Sequence, residues 1–265
     1  SLSLAITMGA HACDPSSALD EANAKPSQWM GILSQHKCLV DRRLVDITMP
    51  GAHDAAAYWL SDRAADCGLP CHFCHVAPLR SAAWGVAQAG SLLHQLRDGV
   101  RYLDVRLTID RDVEGCKDIN RVSGECWKAH HCLFGPSIAN LTADIKTFLT
   151  VDDELESEVV ILRLKLEHFE SHRWKAEGGH DLTLKRLEAL RILLERDLRS
   201  FMSEAEDWWL RPVEELQTSK QRLVVLLQTK NTDWLRRLQK EEVKHLHPLR
   251  KCSVNSATCD GPLWG

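Results

Sequence analysis

"SEVVILRLKLE" (157–167) decides what kind of fold this chain can adopt. Val159, Val160 and Ile161 are three β-branched residues in a row, and Leu162, Leu164 and Leu166 then alternate with Arg163, Lys165 and Glu167. Branching at Cβ suits a pleated surface, and late alternation marks a strand with one polar face near its end. A second buried strand reads from "QRLVVLLQT" (221–229). Between the two, "DLTLKRLEALRILLERDLRSF" (181–201) puts Leu184, Leu187, Leu190, Leu194 and Leu198 on one stripe of an amphipathic helix. Strand, helix, strand is the repeating unit of a parallel sheet.

The same alternation extends toward the N-terminus. "VRYLDVRLTI" (100–109) reads as a strand, preceded by a helix at 90–100 with Ser91 as cap and Gly99 as terminator. "LVDITMPG" (44–51) is the first strand candidate, and "KAHHCLF" (128–134) is a short run. A helix follows with Ile138, Leu141, Ile145 and Phe148 on one face, and "TDWLRRLQKEEVKHL" (232–246) predicts another. Residues 13–40 read as polar and irregular apart from a short helix around Pro26–Leu33. Residues 61–88 form a cysteine- and alanine-rich insert, and 247–265 contain no convincing strand. The pattern predicts a parallel α/β fold, either doubly wound or a barrel.

The 265 residues are 44% hydrophobic and 26% charged, ordinary for a globular protein, and a net charge of −4 gives no reason to expect nucleic acid as a partner. No run approaches the ~18–20 apolar residues of a membrane span. Ten cysteines favour disulfides and an oxidising compartment. Residues 1–12 read as the tail of a secretory signal peptide ending at Ala10-His11-Ala12, and Asn140-Leu141-Thr142 is a glycosylation sequon. The three signals together predict secretion. "CGLPCHFCH" (67–75) offers Cys67, Cys71, Cys74 and His75 as a zinc knuckle, a weaker reading than disulfides. Cys13–Cys38, Cys116–Cys126 and Cys252–Cys259 are tempting pairs by separation alone.

In parallel α/β folds reactive residues collect at the carboxyl ends of strands. Read in order, those ends give His53-Asp54, Asp104 and Arg106, His130-His131, and Lys165 and Glu167. Two histidines with an arginine between them suit attack on a phosphodiester by a neighbouring hydroxyl. Imidazole titrates near neutrality, so one ring can act as base and the other as acid. A guanidinium offers paired donors to phosphate oxygens.

"ITMPGAHDAAAY" (47–58), "LLHQLRDGVRYLDVRL" (92–107), "AHHCLFGPSIANLTADIKTFL" (129–149) and "EVVILRLKLE" (158–167) resemble, in order and spacing, the X-domain of phosphatidylinositol-specific phospholipase C. "LRPVEELQTSKQRLVVLLQ" (210–228) is similar to that family's approach to its sixth strand. The resemblance implies a TIM-type (β/α) barrel over 44–265, behind an N-terminal extension at 13–43, with about six of the eight barrel strands recognisable.

It also implies residue roles. His53 would be the general base, His131 the general acid, and Arg106 the phosphate cation, with Asp54 tuning the site. Asp104, Lys165 and Glu167 would contact substrate. His131 is chosen over His130 because adjacent strand residues face opposite ways and the family histidine directly precedes a glycine position. Arg106 stands where the calcium-dependent branch places a metal ligand, so the resemblance implies the bacterial, metal-independent branch with no cofactor. The implied activity is cleavage of phosphatidylinositol, or a related inositol phospholipid or glycan anchor, at a peripheral membrane surface. A catalytically inactive module binding lipid or glycan is the alternative. Cys132 replaces the glycine after the second histidine, and no counterpart is found for the family's late-strand carboxylate that pairs with the base.

Overall fold

Alternation along three strands sets the layers of the molecule. The computed structural model describes residues 13–39, 41–65, 82–116, 123–150, 157–166, 179–204, 207–229, 236 and 246–248. Among them seven strands form one mixed sheet. These are β1 (Gly51–Ala52), β2 (Tyr102–Ile109), β3 (Trp127–His131), β4 (Leu133–Ser137), β5 (Val160–Lys165), β6 (Leu223–Gln228) and β7 (Leu246–Pro248). Strands β1, β2, β5, β6 and β7 pair in parallel, while β3 and β4 form an antiparallel hairpin against β2. The sheet path ends at β4 and at β7, so the expected barrel is not closed among the described residues.

Helices α1 (Pro15–Ala24), α2 (Trp29–Gln35), α3 (Ala82–Gly85), α4 (Leu92–Arg97), α5 (Ile138–Thr150), α6 (Gly179–Leu198) and α7 (Val213–Thr218) surround the sheet. Leu103, Val105 and Leu107 of β2, with Leu162 and Leu164 of β5, pack in one core with the apolar stripes of α4, α5 and α6. The alternate residues face the other way. There the strand starts are apolar: Ile161 and Val224 pack with Trp29 and Leu33 of α2 and Val213 of α7. Further along that face come Asp104, Arg106, Arg163 and Lys165, matched across the parallel ladder. One face of the sheet is therefore plugged at the bottom and polar at the top.

The plug is tied down by a fully buried ion pair. Arg101 donates from Nε and Nη2 to Glu158 Oε2 at 2.8 and 2.6 Å. Its remaining N–H groups reach the carbonyls of Leu96, Val100 and Ser27. Glu158 Oε1 accepts from the Gly31 amide at 2.8 Å, an N–H that the first turn of α2 leaves unsatisfied. Burial pushes the Glu158 carboxyl up, against the pull of Arg101 and the Gly31 amide.

Several sequence expectations change. Residues 44–51 do not form a strand: Leu44–Asp46 is a 3-10 turn, and the ladder starts only at Gly51. The Leu44 and Val45 amides donate to Arg211 and Trp209 carbonyls instead of a sheet partner. "KAHHCLF" opens a hairpin and does not continue the parallel series; it turns at Cys132, whose φ is 64°. The segment read as irregular holds α1, where Asp14 caps the first turn and only small residues, Ala18 and Ala22, mark the buried face. Leu246–Pro248 is a strand, not the end of a helix, hidden from pattern reading by its three-residue length and its proline. Cys13–Cys38 and Cys116–Cys126 are disulfides. Cys132 is also disulfide-bonded. Residues 67–75, Glu167, Cys252 and Cys259 lie outside the described residues.

Candidate active site

β1 delivers its histidine after only two residues of ladder. The Pro50 carbonyl accepts from the Arg101 and Tyr102 amides, and just beyond β1 the Ala55 amide donates to Asp104 O at 2.8 Å. Asp54 takes up φ 50° at this turn, a left-handed conformation that aspartate tolerates better than most residues. Gln95 of α4 donates to Ala55 O and Gly90 O, and Gln88 donates to His53 O at 2.8 Å. The loop carrying His53 and Asp54 is thus held by backbone and by two amide side chains.

Five of the expected residues meet here. The His53 side chain is 68% exposed, and its Nδ1 lies 3.0 Å from Asp104 Oδ2. Its Nε2 is 3.2 Å from Arg106 Nη2. One neutral tautomer satisfies both contacts: Nδ1–H donates to Asp104, and Nε2 accepts from Arg106. Asp54, with only 3% of its side chain exposed, sits among three positive or protonatable groups. Its Oδ1 is 2.8 Å from Arg106 Nε in a close ion pair. Its Oδ2 is 3.2 Å from His53 Nε2 and 3.5 Å from His131 Nε2.

His131 arrives from β3, which runs antiparallel to β2, so it comes from the opposite direction to His53. Its Nδ1–H donates to Gly85 O at 2.7 Å, which turns Nε2 toward Asp54. The neighbouring His130 is buried, on a strand where adjacent residues point to opposite faces. Lys165 is partly buried and in register with Arg106, without joining the histidine cluster.

His53, Asp54 and Asp104 place one ligand atom each within 4.8 Å of one another, the spacing of a metal-ligand set. Arg106 stands among them, so a fixed positive charge already lies against two of the three. The arrangement sets two imidazole Nε2 atoms and a guanidinium around one buried carboxylate.

No family model and no curated protein matches the chain. Among solved structures it is similar to the phosphatidylinositol-specific phospholipase C of Staphylococcus aureus. A double mutant of that enzyme shares 16% identity at a TM-score of 0.50, covering 78% of this chain and 54% of the other. The likeness is one of fold. A form described for its membrane binding gives 16% identity and a TM-score of 0.49 over 77% of this chain and 53% of that one. A single mutant gives 17% and 0.48 over 77% and 52%. The chain thus spans about half the length of these structures.

Within this phospholipase C-like fold, two polar residues near the cluster escaped sequence reading. Arg163 of β5 lies 3.7 Å from Asp104 and bonds to Gln228 of β6. The available signal was polarity out of place: Arg163 interrupts an apolar run on the face shared with Asp104 and Arg106, and Gln228 ends a strand that is buried throughout.

Proposed function

We propose that the chain is a phosphodiesterase that cleaves phosphatidylinositol, or a related inositol phospholipid or glycan anchor, through an inositol cyclic phosphate. The observation that carries this reading is the pair of histidines whose Nε2 atoms both come within 3.5 Å of Asp54 Oδ2 while their Nδ1 atoms are engaged elsewhere. Asp104 holds the proton on His53 Nδ1, which leaves Nε2 as the basic face. That nitrogen takes the proton of the inositol 2-hydroxyl as its oxygen attacks phosphorus. The bond from phosphorus to the glycerol oxygen breaks, and His131 Nε2–H protonates the departing oxygen. Asp54 stabilises the imidazolium of His131, and Arg106 balances the charge building on the phosphoryl oxygens. Asp104 in this scheme orients the base, where the resemblance alone had it contacting substrate. Lys165 and Glu167 remain candidates for headgroup contact.

The rim of the site supports a lipid substrate. Trp59 is 56% exposed and Val86 is also exposed. Their segments are joined where the Ala87 and Gln88 amides donate to Ala57 O, beside the Gly85 carbonyl that holds His131. Tryptophan suits a membrane–water interface, and membrane binding is named for the S. aureus enzyme. Among the described residues no helix is long and apolar enough to cross a membrane. The disulfides fit secretion.

The test is release of inositol cyclic phosphate from phosphatidylinositol vesicles in excess EDTA. Turnover that survives EDTA and is lost in His53→Ala is the expected result. Vesicle binding without turnover, with calcium or without it, would replace the enzyme by a lipid-binding module.

A further inference from the structure

Behind His53 runs a line of polar side chains that crosses three strands and that the acid–base scheme does not use. Asp104 has 5% of its side chain exposed. One of its oxygens, Oδ2, faces His53 Nδ1, while Oδ1 has no hydrogen-bond partner. A nearly buried carboxylate with one oxygen unpaired is costly unless a cation balances it. Arg163 is that cation. It is in register with Asp104 on the next strand, and its Nε stands 3.7 Å from Oδ1.

Arg163 is itself aimed from the far side. Its Nε donates to Gln228 Oε1 at 3.0 Å, and Nη2 donates to the same oxygen. Gln228 is buried at the end of β6, where its backbone is fixed by the parallel ladder to β5. An amide on β6 therefore sets a guanidinium on β5, which faces a carboxylate on β2, which meets the imidazole after β1. Arg106 lies two residues from Asp104 on the same face of β2. Without Arg163 it would be the nearest guanidinium, and a carboxylate turning toward it would leave Nδ1.

We propose that Arg163, aimed by Gln228, is a positioning residue for His53: it holds Asp104 so that Oδ2 takes the Nδ1 proton and Nε2 faces substrate. This rests on reading His53 as the general base. Arg163 touches neither phosphate nor inositol in this assignment, so its loss acts on kcat and on the histidine ring itself.

The experiment uses the whole chain and the variants Arg163→Met, Gln228→Leu and Arg163→Lys. Two readouts are taken: the tautomer of neutral His53 from ring nitrogen shifts in NMR, and kcat and KM on phosphatidylinositol vesicles. Wild type is expected to carry the proton on Nδ1. Arg163→Met should give mixed tautomers and lower kcat by about tenfold or more. Its KM should stay within about twofold of wild type. Gln228→Leu should follow it in part, and Arg163→Lys should recover most of the tautomer preference. A wild-type His53 protonated on Nε2 overturns the proposal. So does an Arg163→Met protein with unchanged tautomer and kcat, or one in which KM rises while kcat holds, which would make Arg163 a substrate ligand. If Arg163→Met does not fold, Gln228→Leu and the wild-type ring decide. A wild type without turnover removes the acid–base reading but leaves the NMR arm to judge the positioning.

Discussion

Asp54 is the residue on which the proposed chemistry turns, because it is nearly buried yet within 3.5 Å of Arg106 and both histidines. Asp54→Asn keeps its shape and removes its charge. We expect kcat to fall about a hundredfold or more with the circular dichroism spectrum unchanged, the scale of a lost acid–base partner; a kcat within twofold of wild type would deny Asp54 that part. The two tyrosines offer a second residue-scale check. Burial pushes the Tyr58 hydroxyl up to about 12, helped by Asp144, and raises Tyr102 as well. A folded chain that keeps phenol protons the unfolded chain has lost is fully stabilised below pH ~10 and loses that contribution as pH rises through the folded values. Phenolate absorbance should rise late in native protein and near pH ~10 in guanidinium. Both tyrosines ionising at pH ~10 in the native state would refute the burial argument.

At the scale of elements, the loop after β1 depends on its neighbours. A two-residue strand has little ladder of its own, so Gln95 of α4 carries part of the work through Ala55 O and Gly90 O. Gln95→Leu should cost about 1–3 kcal/mol in denaturant melts, the range for buried carbonyls left unpaired. Turnover should drop with it, since the His53 loop loosens. A full-length loss of neither stability nor rate would show that the backbone alone holds the loop.

How much could be read beforehand also divides by element. His53 and Asp54 are neighbours, Asp104 and Arg106 are two apart on one strand, and His131 lies inside the short run 128–134, so each lies within a local pattern. Arg163 and Gln228 are 65 positions apart and meet only because β5 and β6 pair. Pattern reading also took 44–51 for a strand, because apolar residues that dock on a loop look like those that dock on a sheet. The antiparallel course of β3 was invisible for a different reason: periodicity carries no direction.

For the whole molecule, the Arg101–Glu158 pair joins α2, β2 and the approach to β5, and every donor of the guanidinium is used. Glu158→Gln leaves that guanidinium buried without its counter-charge. We expect a loss of about 3–5 kcal/mol in chemical denaturation. A change below 1 kcal/mol would mean that the neutral amide serves as well. Both residues stand inside the quoted motifs, yet neither reaches the histidines. Part of what made the motifs legible is thus architecture and not chemistry.

One edge of β2 is shared by two strands. β1 pairs with Tyr102 and Leu103, and β3 pairs with Leu107, Thr108 and Ile109. The two run toward each other, and three residues of β2, 104–106, separate their ladders. β2 is therefore a ruler. The gap between the two ladders is three residues of peptide, about 10 Å at ~3.3 Å per residue, and the two imidazoles lean across it to the same oxygen, Asp54 Oδ2, at 3.2 and 3.5 Å. Substitutions along it alter the groups that face substrate, but only an inserted or deleted residue alters the measure. One residue added between Leu103 and Arg106 would lengthen the gap by ~3.3 Å and turn Arg106, relative to β1, to the face that packs against α4, α5 and α6. The spacing of the two ladders is set by this stretch, while the His131 ring is held by Gly85 and the His53 loop by Gln88 and Gln95.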